Sequence, residues 1–123
     1  VKLDLRSRHR NRGRPPQKDA PGFLQFVRGR PCIFADSGDC QGKVQACHLD
    51  FAGGKGLNSK VADRYSVPMC GLGHHARQHG VGWDSFMAEM GVTREELMIA
   101  AARLWHAWPS RRQWESKQQG DAA

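Results

Sequence analysis

Between Cys32 and His79 the chain carries all four of its cysteines and four of its six histidines, in the order Cys32, Cys40, Cys47, His48, Cys70, His74, His75, His79. Thiols and imidazoles crowded into so short a stretch are metal ligands or, in an oxidising compartment, cystines. The N-terminus reads V-K-L-D-L-R-S-R-H-R, without the apolar core that export needs, and no run approaches the ~20 apolar residues of a membrane span. An intracellular, reducing location is therefore expected, which favours ligation over disulfides. With flexible ends discounted, roughly 90 residues remain to fold, a size at which burial alone is thin and a metal staple helps.

A structural zinc wants four ligands, and the simplest set is Cys32, Cys40, Cys70 and His74. Cys70-x3-His74 straddles the start of an expected helix over 72–79. The Cys32-x7-Cys40 spacing is wider than a common knuckle, but the turn-forming Asp36-Ser37-Gly38-Asp39 can fold the chain back. If these cysteines held no metal they would be small buried hydrophobes. His75 and His79 lie four apart and so share a helix face, about a hundred degrees away from His74. His48, on an expected strand over 43–49, is the natural residue to meet them. Histidines around one cation suit phosphodiester hydrolysis, with His48 kept free as the base and His75 and His79 holding the ion.

The formal charge is +7, and residues 1–20 hold +5 of it, with Lys2, Arg6, Arg8, Arg10, Arg12, Arg14 and Lys18 against Asp4 and Asp19. Arginines without apolar periodicity bury no face, so this arm is expected to be disordered alone and to track a phosphate backbone. Beyond it, 21–28 reads as a short helix, 65–69 as a second extended piece after a glycine-rich loop, and 83–90 as a further helix. Thr93 with Glu96 is a capping box opening a helix that Pro109 stops. From Ser110 the composition offers little to bury, and a flexible tail is expected.

The segment A-C-H-L, the glycine-rich loop with Lys60 and Asp63, and Y-S-V-P-M-C-G-L-G-H-H-A-R-Q-H-G together resemble the HNH nucleases, the ββα-metal group, and among them small phage-borne recombination-associated nucleases. The resemblance runs from about residue 20 to 91. It implies an α+β fold: a small ββα-metal (HNH) core with a structural zinc knuckle and flanking helices. It divides the chain into a basic arm (1–20), an HNH-like nuclease domain with C-terminal helices (21–108) and a flexible tail (109–123). His48 matches the general base, and His75 and His79 the ligands of the catalytic ion. Cys70 and His74 match positions where relatives hold structural zinc. Asp63, rather than Asn58, stands at the family-like distance for the central residue that orients the base or the loop.

Two positions depart from the pattern. Cys47 stands where many relatives have an acid or histidine ligand, and is read as a small residue tolerated by the strand. One extra residue separates Cys70 from the histidine pair. The implied activity is metal-dependent cleavage or nicking of DNA, in phage or prophage recombination or DNA processing, in the cytoplasm of a bacterial or phage-infected cell. Its catalytic ion would be Mg, Mn, Ni or Zn beside the structural Zn. Lys55, Lys60, Arg64 and Arg77 are the expected phosphate contacts. DNA is the expected partner, with a recombinase or a second copy of the chain as protein partners. The alternative is a non-catalytic, zinc-stapled nucleic-acid-binding protein. A zinc deaminase is excluded because His48-Leu49-Asp50 lacks the required glutamate and P-M-C-G-L-G lacks a second cysteine.

Overall fold

The computed structural model describes residues 18–53 and 61–122. Most of the basic arm and most of the glycine-rich loop, with Lys55, Asn58 and Lys60, lie outside the described residues. Two strands, β1 (Val44–His48) and β2 (Ser66–Cys70), pair antiparallel, with Val44 opposite Cys70 and His48 opposite Ser66. Ladder bonds from Leu49 N–H to Tyr65 O (2.8 Å) and from Gly71 N–H to Lys43 O (2.7 Å) fix the alternation. Counting inward by twos places Ala46 and Pro68 at a pair that exchanges no hydrogen bond. The proline therefore costs the hairpin nothing, and its outward carbonyl accepts Ile33 N–H at 2.9 Å.

Among the described residues five helices accompany the hairpin: α1 (Pro21–Arg28), α2 (His74–Val81), α3 (Trp83–Met90), α4 (Arg94–Ala107) and α5 (Arg111–Ala122). Short 3-10 turns occupy Ala35–Ser37 and Asp50–Ala52. Because α2 follows β2 after three residues, the hairpin and α2 form a β-β-α unit. One apolar cluster joins Cys47, Val67 and Met69 to Phe86 and Met87 of α3 and to Leu97 and Ala101 of α4. A second joins Ala20, Phe23 and Val27 to Trp105 and Trp108, with Ala46 packed against it. Leu97, Ala101 and Trp105, four apart, make α4 the strut common to both. Its capping box is complete, with Glu96 N–H donating to Thr93 Oγ1 (3.1 Å) and Thr93 N–H to Glu96 Oε1 (3.0 Å).

Both ends of the expected division differ. In place of a flexible tail after residue 109 there is helix α5, because one aromatic in a polar stretch finds a site: the Trp114 ring meets Trp105 edge-on at 5.2 Å, and its Nε1–H donates to Asp19 O at 2.9 Å. Residues 18–20 likewise join the fold rather than the arm. Ala20 is buried, and the carbonyl of Lys18 accepts Asp63 N–H at 2.9 Å. Among the described residues no helix is long and apolar enough to cross a membrane.

Candidate metal centre and histidine cleft

Four chain segments deliver the cysteine cluster. Cys32 follows α1, Cys40 closes the returning loop, Cys70 ends β2 and His74 opens α2. Gly73 permits the close approach, since a Cβ there would lie 2.8 Å from Cys70 Sγ and 3.1 Å from Gln41 N. One ligand atom from each of the four residues falls within 4.8 Å of the others. His74 Nδ1 stands 3.6 Å from Cys32 Sγ, 3.7 Å from Cys40 Sγ and 3.2 Å from Cys70 Sγ. Tetrahedral zinc bonded to sulfur at about 2.3 Å and to nitrogen at about 2.05 Å sets such atoms about 3.6 Å apart, so the donor set fits zinc.

The surroundings are arranged for ligation. With Nδ1 turned to the sulfurs, His74 Nε2 faces Asp39 Oδ1 at 2.9 Å and Ser37 Oγ at 3.0 Å, a carboxylate–imidazole pair of the kind that fixes a ligand's tautomer. Ser37 Oγ also bonds Asp39, and this hydroxyl first, then the His74 imidazole, holds the Asp39 carboxyl below its usual range. Burial raises the Cys70 thiol, but N–H groups of His74 and Gln41 outweigh it and bring the group down to about 6. Desolvation, then the neighbouring Cys32 and Cys70 sulfurs, pushes Cys40 up to about 12. Crowding of the kind that raises Cys40 is relieved when a divalent cation displaces thiol protons.

The face of α2 beyond His74 borders a cleft of about 250 Å³, lined by His48, Asp50, His75, Gln78 and His79 among others. His48 Nε2–H donates to Asp63 Oδ1 at 2.9 Å, and the Asp63 side chain is only 3 % exposed against 30 % for His48. Asp63 Oδ2 accepts Ala20 N–H at 2.8 Å. Held from both oxygens, the carboxylate fixes the imidazole and leaves Nδ1 as its basic atom. Across the cleft, Nε2 of His75 and Nε2 of His79 lie 3.1 Å apart. Two nitrogens sharing one cation stand about 2.9 to 3.4 Å apart at bond lengths near 2.05 Å, so the pair has the spacing of a bidentate site. Burial, then the His79 and His48 imidazoles, lowers the His75 pKa against a raising influence from Asp50.

His48, Asp63, His75 and His79 are therefore brought together, as are Cys32, Cys40, Cys70 and His74. Of the basic residues, Arg64 and Arg77 are not, and Lys55 and Lys60 lie outside the described residues. Arg77 Nε donates to both oxygens of Glu89 at 3.1 Å, next to the cysteine cluster rather than the cleft. The Arg64 guanidinium lies 4.8 Å over the Trp105 ring. Cys47 is buried, its thiol pushed up to about 12 by desolvation and then by Asp50, which suits an inert packing residue. Sequence reasoning missed Asp50 as a wall of the cleft, Asp39 and Ser37 as partners of His74, and Gln45, whose Oε1 lies 2.7 Å from His75 Nδ1. The acids beside Cys40 and His48 were visible in the sequence, but the turns that aim them were not.

Among the described residues, the cysteine cluster is the group in which three or more donors could share an ion, while the cleft contributes a histidine pair. Comparison with protein-family models, curated proteins and solved structures finds no match.

Proposed function

We propose that the protein is a metal-dependent DNA endonuclease whose reaction takes place in the histidine cleft, while the Cys32–Cys40–Cys70–His74 centre is structural zinc. The observation that carries this reading is the buried Asp63 carboxylate on His48 Nε2, 2.9 Å away, in a cleft that also presents His75 and His79. An imidazole oriented by a buried acid has the arrangement a general base requires. His48 Nδ1 accepts a proton from the attacking water as its oxygen bonds to phosphorus, the P–O bond to the sugar oxygen breaks, and that leaving oxygen takes a proton from solvent. His75 and His79 would hold a divalent cation, which would supply charge stabilisation at the phosphate and leaving oxygen. The arm within 1–20 adds sequence-independent affinity through its arginines. Lys55 and Lys60 remain proposed phosphate contacts; Arg77 and Arg64 are engaged elsewhere, so their contribution to a DNA-bound state requires exchanging those partners.

A second reading, a zinc-stapled nucleic-acid-binding protein without catalysis, is favoured by the cysteine cluster itself, which needs no reaction to explain it. The two separate in one experiment. Zinc-loaded wild type and His48→Ala, matched for zinc content and DNA retardation, are incubated with supercoiled plasmid and Mg, Mn or Ni. The nuclease reading expects open circles from wild type with at least one ion and a loss of about 10²- to 10⁴-fold in the variant. DNA retardation by wild type without cleavage under any ion would establish the binder instead, and equal cleavage by the variant would remove His48 as base.

A further inference from the structure

Gln45 stands on β1 two residues before Cys47, on the same side of the strand, and three before His48, at an exposed position. Its side-chain oxygen lies 2.7 Å from His75 Nδ1, while Nε2 of the same ring lies 3.1 Å from His79 Nε2. A carbonyl oxygen only accepts, so the contact requires a proton on His75 Nδ1 and leaves Nε2 with its lone pair directed to His79. The amide is seated as well as bonded. Gly71, diagonally across the hairpin, lies so close that a Cβ there would stand 2.8 Å from Gln45 Cδ, 2.9 Å from its Nε2 and 3.1 Å from Lys43 O. The glycine thus provides a flat floor on which the amide rests within reach of the imidazole.

We infer that Gln45 is a positioning residue of the cleft, fixing His75 in the Nδ1–H tautomer and aiming Nε2 at a cation shared with His79. It parallels Asp39 at the zinc centre: each helix histidine has one ring nitrogen toward its site and the other held by a side chain from outside the helix. The order is inverted between the two, Nδ1 facing the sulfurs in His74 and Nε2 facing the pair in His75. Two adjacent histidines on one helix are in this way kept from exchanging tautomers or ligands. The inference deepens the reading of the cleft as a cation site and rests on it for its purpose, though not for its tautomer.

The test uses full-length, zinc-loaded protein with 15N-labelled histidine. Two-bond 15N–1H spectra report which ring nitrogen of His75 carries the proton, and nickel titration reports affinity at the pair, for wild type, Gln45→Leu, Gln45→Glu and Gly71→Ala. Wild type is expected to show the Nδ1–H form. Gln45→Leu should lose it and weaken nickel about 10- to 100-fold, and Gln45→Glu should retain both. Gly71→Ala, which leaves every side chain of the site in place but removes the seat, should move in the direction of Gln45→Leu. An unchanged tautomer and unchanged nickel affinity in Gln45→Leu would overturn the inference. A tautomer that shifts as expected while nickel binds the pair in none of the proteins would uphold Gln45 as the tautomer-setting residue and overturn the cation reading of the cleft.

Discussion

His74 and His75 are consecutive, yet they face different chemistry because a helix turns each residue about a hundred degrees from the last. His74 enters a crowd of sulfurs, and His75 enters a cleft of imidazoles and carboxylates. Asp39→Ala removes the acceptor on His74 Nε2 and should weaken zinc about 10- to 100-fold in competition with a chromophoric chelator, with the four ligands intact. His75 titrates below the ordinary imidazole value from burial and then from its histidine neighbours. His79→Ala takes away one repelling charge, so the His75 midpoint in metal-free cleft protein should rise, followed by NMR. The sign decides cation binding as well: a lowered midpoint keeps His75 deprotonated, and able to ligate, further into acid than an exposed histidine. The zinc ligand set was legible in the sequence because cysteine and histidine have few other reasons to cluster. Gln45 and Asp39 were not, because a glutamine on a strand or an aspartate in a turn is ordinary until a tertiary contact gives it a partner.

Among the elements, the hairpin, α3 and α4 could be read in advance because each carries a local instruction: alternation in β1, Gly91 closing α3, the Thr93 box. Helix α5 carries none. Trp114 is its one large apolar residue, and its packing rests on Trp105, nine positions earlier, and on the carbonyl of Asp19 at the other end of the chain. Trp114→Ala should therefore cost about 2 kcal/mol, read from the urea midpoint, and release α5 without disturbing zinc. Thr93→Ala removes one half of the capping box and should cost about 1 kcal/mol by the same measurement. A variant at Trp114 that left stability unchanged would return α5 to the status of a frayed end.

At the scale of the whole molecule, the zinc centre ties together the exit of α1, the returning loop, the end of β2 and the start of α2, four points that no disulfide links. The apolar clusters are small, so an ion held there would contribute to folding itself: at a hundredfold excess over its dissociation constant it would add about 2.7 kcal/mol. Chelation should lower the melting temperature and, by loosening the origin of α2, disperse the histidine cleft along with it. In the proposed nuclease, catalysis and stability would be coupled through one helix, its first histidine serving the scaffold and its next two the reaction. Anomalous diffraction at the zinc and nickel edges, from one crystal grown with zinc and soaked in nickel, examines that arrangement directly. It should place zinc among Cys32, Cys40, Cys70 and His74 Nδ1, and nickel between Nε2 of His75 and Nε2 of His79 beside His48. Zinc in its centre with no nickel on the histidine pair would contradict the account.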